Sequence, residues 1–146
     1  MRGRVRERWS GQPLWARWVL AVYLVGFFQG ACVHFLDLVR GGIHADASFP
    51  QVPFQVFFIS LVVLDPLVVV LVALVRREGV WLAGGVMVWD VSANWIGNWP
   101  WLRDDPARLL QPVGMLPITL FGLFVVASAT PLLRVMTMRH LSCTTR

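Results

Sequence analysis

The sequence predicts an all-α membrane protein, a bundle of four transmembrane helices with both termini cytoplasmic. Three observations carry that expectation. Of the 146 residues, 57% are hydrophobic and 14% charged, against about a quarter charged in an ordinary soluble domain. The apolar residues fall in blocks close to the roughly 20 residues a helix needs to cross a bilayer. Runs such as LVVLDPLVVVLVALV lack the in–out alternation of a barrel strand, and other backbone inside lipid must be helical to satisfy its own hydrogen bonds. The length suits one membrane domain over residues 1–146.

The blocks predict helices over about 14–38, 53–75, 80–99 and 113–135. The first follows MRGRVRERW, and together they resemble the basic and apolar regions of a secretory signal. Gln29 stands where a lipoprotein signal wants a Leu-like residue before Cys32, and no A-x-A site follows. The segment is therefore expected to stay as an anchor. The second block is the most apolar and is interrupted by Asp65–Pro66. VRREG makes a short turn to the third block, so these two helices form an antiparallel hairpin. The third block ends in WDVSANWIGNWPW, with Asp90, Asn94 and Asn98 among four tryptophans. The fourth carries Pro117, Gly122, Ser128, Thr130 and Pro131 but no charge before Arg134, the pattern of a kinked packing helix. The longer loops RGGIHADASFPQV and PWLRDDPARLLQP hold Gly, Pro and Asp, which favour turns.

All thirteen basic residues are Arg. Arg2, Arg4, Arg6, Arg8, Arg17, Arg76, Arg77, Arg134, Arg139 and Arg146 would share one side of the bilayer, leaving Arg40, Arg103 and Arg108 for the other. The positive-inside rule then places both termini in the cytoplasm and the chain in the cell membrane. Because the arginines flank apolar blocks instead of forming one stripe, no nucleic-acid partner is expected. Trp15, Trp18, Trp81, Trp95, Trp99 and Trp101 cluster near helix ends, where amphipathic rings prefer the interface. Cys32 and Cys143 form no CxxC and lie at different membrane levels, so no disulfide is expected. His34, Asp37, His44 and Asp46 match no standard metal spacing. No P-loop, Rossmann or GxSxG pattern is present; no metal and no cofactor are predicted, and catalysis is left open.

The polar residues inside the blocks are the candidate site. Asp90, Asn94 and Asn98 stand at i, i+4 and i+8 and line one helix face, with Trp95 and Trp99 on a neighbouring stripe. An Asp at mid-bilayer costs about 2.5–3.5 kcal/mol, while each Val, Leu or Ile returns about 0.3–0.6. Val80, Leu82, Val86, Val88, Val91 and Ile96 leave this helix near balance, so its polar face must look into the bundle. Asp65 lies eleven residues before Arg76 and Asp90 thirteen after Arg77. At 1.5 Å per residue those are heights of roughly 17 and 20 Å above the arginines, near the middle of a core about 30 Å thick. The two acids are expected to meet there, desolvated and mutually repelling, with one shared proton or both neutral. The plainer alternative is that they bond to Asn94, Ser60 or the carbonyl freed by Pro66 and only fix packing. In the first helix, Gly26 and Gly30 form a GxxxG that lets another helix approach, and a homo-oligomer seam is one use of it. His34 continues that face, and Asp37 and Arg40 follow at three-residue steps, as a pair at the helix end or as the mouth of a polar cavity.

LAVYLVGFFQGACVHFLDLV, with an early aromatic and Asp37 near its end, the acid and proline of FQVFFISLVVLDPLVVVLVAL, and WLAGG opening the third helix resemble the EXPERA family in order. The similarity covers the four helices. It implies a four-helix protein holding a sterol-like or cationic amphiphilic ligand in an intramembrane cavity with acids and aromatics. Two departures are visible: Ser60 stands where the family has its acid about six residues before the proline, and the isomerases' paired histidine and glutamates have no full match. The expected function is thus an outward-facing intramembrane polar pocket for a small lipophilic or cationic amphiphilic ligand. Its residues would be Asp65, Asp90, Asn94, Asn98, His34, Asp37, Trp95 and Trp99. The alternatives are a proton-coupled transporter subunit acting as an oligomer, and a structural or accessory protein without a ligand.

Overall fold

A computed structural model describes residues 2–42, 52–110 and 114–144. Those residues are helical almost throughout: α1 (Arg2–Gly11), α2 (Leu14–Gly41), α3 (Val52–Ala73), α4 (Arg77–Asp104) and α5 (Met115–Thr144), with a short 3-10 segment at Pro106–Leu110. The four expected helices correspond to α2–α5. His44 and Asp46, and the expected start of the last helix at Val113, lie outside the described residues, as does the side chain of Cys143.

Three helices, α2, α3 and α5, are long and apolar enough to cross a membrane. α4 has 28 residues, about 42 Å of helix, but is not apolar enough to join them, because Asp90, Asn94 and Asn98 interrupt it. The outward surface is apolar nonetheless. Val25, Phe28, Val63, Val70, Leu120 and Leu123 are all exposed along the spans, far more apolar surface than a water-soluble chain leaves uncovered. Trp15, Trp18 and Trp81 are exposed near one end and Trp99 and Trp101 near the other.

α2 packs on α3, α3 on α4 and α4 on α5, with a thinner seam returning from α5 to α2. Tyr23 closes that seam. Its fully buried hydroxyl donates to the Val125 carbonyl at 2.7 Å and shares a hydrogen bond with Ser128 at 3.0 Å. Phe27 meets Phe121 edge to face at 5.6 Å, and a Cβ at Gly26 would overlap the Phe121 ring.

The α3–α4 connection shows how tightly the hairpin is drawn. Arg76 N–H donates to the Leu71 carbonyl at 3.0 Å and Val75 N–H to Val72 at 2.9 Å, the paired bonds of a Schellman helix end. The expected helix to residue 75 therefore stops at Ala73. Val75 takes φ +51°, a left-handed conformation that glycine usually fills and a β-branched residue rarely does. α4 starts two residues later, and Gly79 lies against the α3 backbone at Leu71 and Val72.

α1 is an element the apolar pattern did not indicate. It lies over this turn, where the last carbonyls of α3 have no partner within their helix. Trp9 Nε1 donates to the Ala73 carbonyl at 2.8 Å and Arg8 Nη1 to Leu74 at 3.2 Å.

Candidate functional site

Asp65 and Asp90 are the buried charged residues among the described core, 4% and 6% exposed. Both face the bundle interior, and they are close enough for their charges to interact. Their surroundings differ. Asp90 is bonded from within its own helix: Asn94 Nδ2 lies 3.0 Å from Asp90 Oδ1 and 3.0 Å from the Asp90 carbonyl. Asn98 Nδ2 repeats the step, donating to the Asn94 carbonyl at 2.9 Å. The polar stripe of α4 is thus a ladder of i to i−4 bonds that satisfies itself as the helix forms.

Among the described residues, Asp65 has no such donor. Ser60 turns back to the Phe57 carbonyl at 2.6 Å, and Asn94 is taken by Asp90. The basic group facing the Asp65 carboxyl is His34, whose Nε2 is 4.0 Å from Oδ2, beyond hydrogen-bonding distance. The space is made by Gly30, where a Cβ would sit 2.6 Å from Asp65 Oδ2. The two glycines of the GxxxG are therefore used inside this chain, Gly26 by Phe121 and Gly30 by Asp65. The His34 ring leans on Phe58 with centroids 6.4 Å apart, and Phe57 meets Trp89 edge to face at 5.9 Å across α3 and α4.

The structure thus brings together His34, Asp65, Asp90 and Asn94 and leaves the other expected residues at the margin. Asp37 is exposed; its charge reaches His34, but it forms no ion pair with Arg40 among the described residues. Trp95 turns toward α5, donating to Thr119 Oγ1 at 2.9 Å. Trp99 stacks obliquely on Trp95 at 6.5 Å and is half exposed. Tyr23, by contrast, is a residue that the pattern of polar and small residues does not single out. The available signal was that Tyr23 is the chain's sole tyrosine.

Comparison with family models, curated proteins and solved structures finds no match to this chain. What the arrangement can do chemically follows from its own groups. A buried carboxyl without a donor favours a cation or proton donor brought to it, because an acceptor left unmet away from water costs about 1–3 kcal/mol, more when charged. The neighbouring imidazole is a group able to exchange a proton with it.

Proposed function

We propose that α2, α3, α4 and α5 all cross the cell membrane, with both termini in the cytoplasm, and that Asp65 receives the cationic group of a small amphiphilic ligand. The distribution of arginine supports the threading. So do the burial of Asp90 and the partial cover of Asn94 and Asn98 on α4, since helices whose polar side is covered by neighbours tolerate lipid on the other. The single observation that carries the ligand reading is the Asp65 carboxyl: almost buried, beside Gly30, and without a hydrogen-bond donor among the described residues. An ammonium group supplies both the charge and the N–H that this oxygen lacks. Phe58 and Phe57 offer ring surface to the apolar part of such a ligand. The EXPERA resemblance of the spans implies the same class.

The test is thermal unfolding of the purified full chain in lipid nanodiscs with a series of cationic amphiphiles and their neutral isosteres. Stabilisation by the cations alone, lost in Asp65→Asn and kept in Asp90→Asn, is the expected result. Equal stabilisation of wild type and Asp65→Asn refutes it.

The position of His34 favours one second reading, a proton-coupled transporter subunit in which His34, Asp65 and Asp90 hand on a proton. Such a subunit would act as an oligomer. A seam through Gly26 and Gly30 would have to displace Phe121 and Asp65, so such an oligomer uses another face. Proton uptake by reconstituted vesicles that vanishes in both His34→Ala and Asp65→Asn supports this reading over the first.

A further inference from the structure

A second site lies at the arginine-rich end, well away from the acids. α1, the α3–α4 turn and α5 at Met136 line an open cavity of about 570 Å³, within the range of small-molecule sites. Arg4, Arg8, Arg76 and Arg77 line it, with Glu7 and Glu78, a balance of four positive charges against two negative. The arginines are not equally committed. Arg8 is held by the Leu74 carbonyl, and Arg76 Nε lies 3.5 Å from Glu78 Oε2. Arg4 and Arg77 make no hydrogen bond or ion pair among the described residues. Val75 and Met136, both buried, form an apolar wall. Gln12 also lines the cavity, and its Oε1 is buried without a partner.

Each feature selects a ligand property. Paired guanidinium groups match phosphate oxygens in geometry and charge. A buried acceptor such as Gln12 Oε1 calls for a hydroxyl donor. The first turn of α4 begins at Arg77, so the positive end of that helix lies on the same side. We propose that this cavity binds the phosphate of a hydroxyl-bearing phosphoester, with Arg4 and Arg77 as its charge contacts and Gln12 accepting from the hydroxyl. That chemistry belongs both to a phosphoglycerol lipid headgroup and to a free polyol phosphate. The apolar wall accommodates the first glyceryl carbons of the lipid.

The experiment measures unfolding temperature and ligand retention by native mass spectrometry for the full chain in three settings. These are phosphatidylglycerol nanodiscs, phosphatidylcholine nanodiscs, and phosphatidylcholine nanodiscs with added glycerol 3-phosphate. Wild type is expected to retain and be stabilised by phosphatidylglycerol, by glycerol 3-phosphate, or by both; the arm that responds identifies the source. Arg4→Gln and Arg77→Gln each remove an uncommitted guanidinium without breaking a recorded contact, and each is expected to weaken retention about tenfold. Gln12→Leu should lower the preference for a hydroxyl-bearing phosphate over methyl phosphate. Arg103→Gln, at the other end of α4, controls for loss of charge alone and should leave retention unchanged. The proposal is overturned by a wild type that responds to neither phosphoester. It is overturned equally by Arg4→Gln and Arg77→Gln retaining ligand as wild type does, or by Arg103→Gln losing as much as they do.

Discussion

Replacing Gly79 with alanine tests the geometry that places the arginine-lined cavity. The added Cβ would stand 2.8 Å from Leu71 Cβ and 2.9 Å from both Leu71 C and Val72 N, where ordinary carbon contacts need about 3.5–4.0 Å. Two of those atoms belong to the α3 backbone, so no side-chain rotation relieves the overlap and the start of α4 must back away. Insertion of a methylene into close-packed structure costs typically about 1–3 kcal/mol. Alanine returns up to about 1 kcal/mol of helix propensity at an interior position and less here, in the first turn. Gly79→Ala is therefore expected to destabilise by about 1–2 kcal/mol. Gly84→Ala supplies the control: nothing lies within 4 Å of a Cβ there, so the same chemical change should be neutral or stabilising by up to about 1 kcal/mol. Reversible unfolding of both variants in mixed micelles measures the difference. A Gly79→Ala protein as stable as Gly84→Ala would show that α3 and α4 do not approach closely at this point.

Two further substitutions separate bonding from packing. Tyr23→Phe removes a buried hydroxyl but strands no partner, since Ser128 Oγ still donates to the Phe124 carbonyl at 2.6 Å; the cost is expected near 0.5–1.5 kcal/mol, about one net hydrogen bond, in the same unfolding assay, and a loss above about 3 kcal/mol would contradict it. Asp90→Asn keeps an acceptor for Asn94 and should leave stability within about 1 kcal/mol, whereas Asp90→Leu removes the Oδ1 rung of the ladder and leaves the Asn94 amide with the Asp90 backbone carbonyl alone; equal behaviour of the two variants would mean that the side-chain bond contributes nothing.

The sequence made the long helices legible because their signal is the uninterrupted run of apolar residues, which needs no partner to be read. It also placed Asp65 and Asp90 at one depth, since rise per residue is constant and the Arg76–Arg77 turn sets the origin. What it left undetermined was rotation. One residue of error turns a helix by 100°, so depth arithmetic says that two acids are level but not which neighbour each faces. That is why Asn94 was legible as a partner for Asp90, four residues away on the same helix, while His34 beside Asp65 was not. α1 was invisible for another reason. RGRVRERWSG has no apolar period, and what holds it is the set of carbonyls at the end of α3 that Arg8 and Trp9 reach, a tertiary demand with no trace in its own pattern. The left-handed Val75 was equally hidden, because that position ordinarily announces itself with glycine.

The division of labour between the two acids follows from what each helix can carry. Between Val52 and Ala73, α3 holds sixteen Val, Leu, Ile and Phe residues, which at about 0.3–0.6 kcal/mol each favour insertion by about 5–10 kcal/mol. That exceeds the about 2.5–3.5 kcal/mol of a central Asp, so α3 is apolar enough to cross a membrane even with Asp65 unbonded. α4 has six such aliphatic residues between Val80 and Trp99 and no comparable excess. An acid there persists only with its own donors, and Asn94 at i+4 supplies them before any neighbour arrives. The acid left without a donor is thus the one on the helix able to insert with it, and the acid bonded in advance is on the helix that cannot. A polar stripe serving cohesion alone would be expected to bond both acids. The structure bonds Asp90 and leaves Asp65 open against Gly30 and His34, and that asymmetry favours a binding or proton-exchanging role for Asp65 over packing as its purpose.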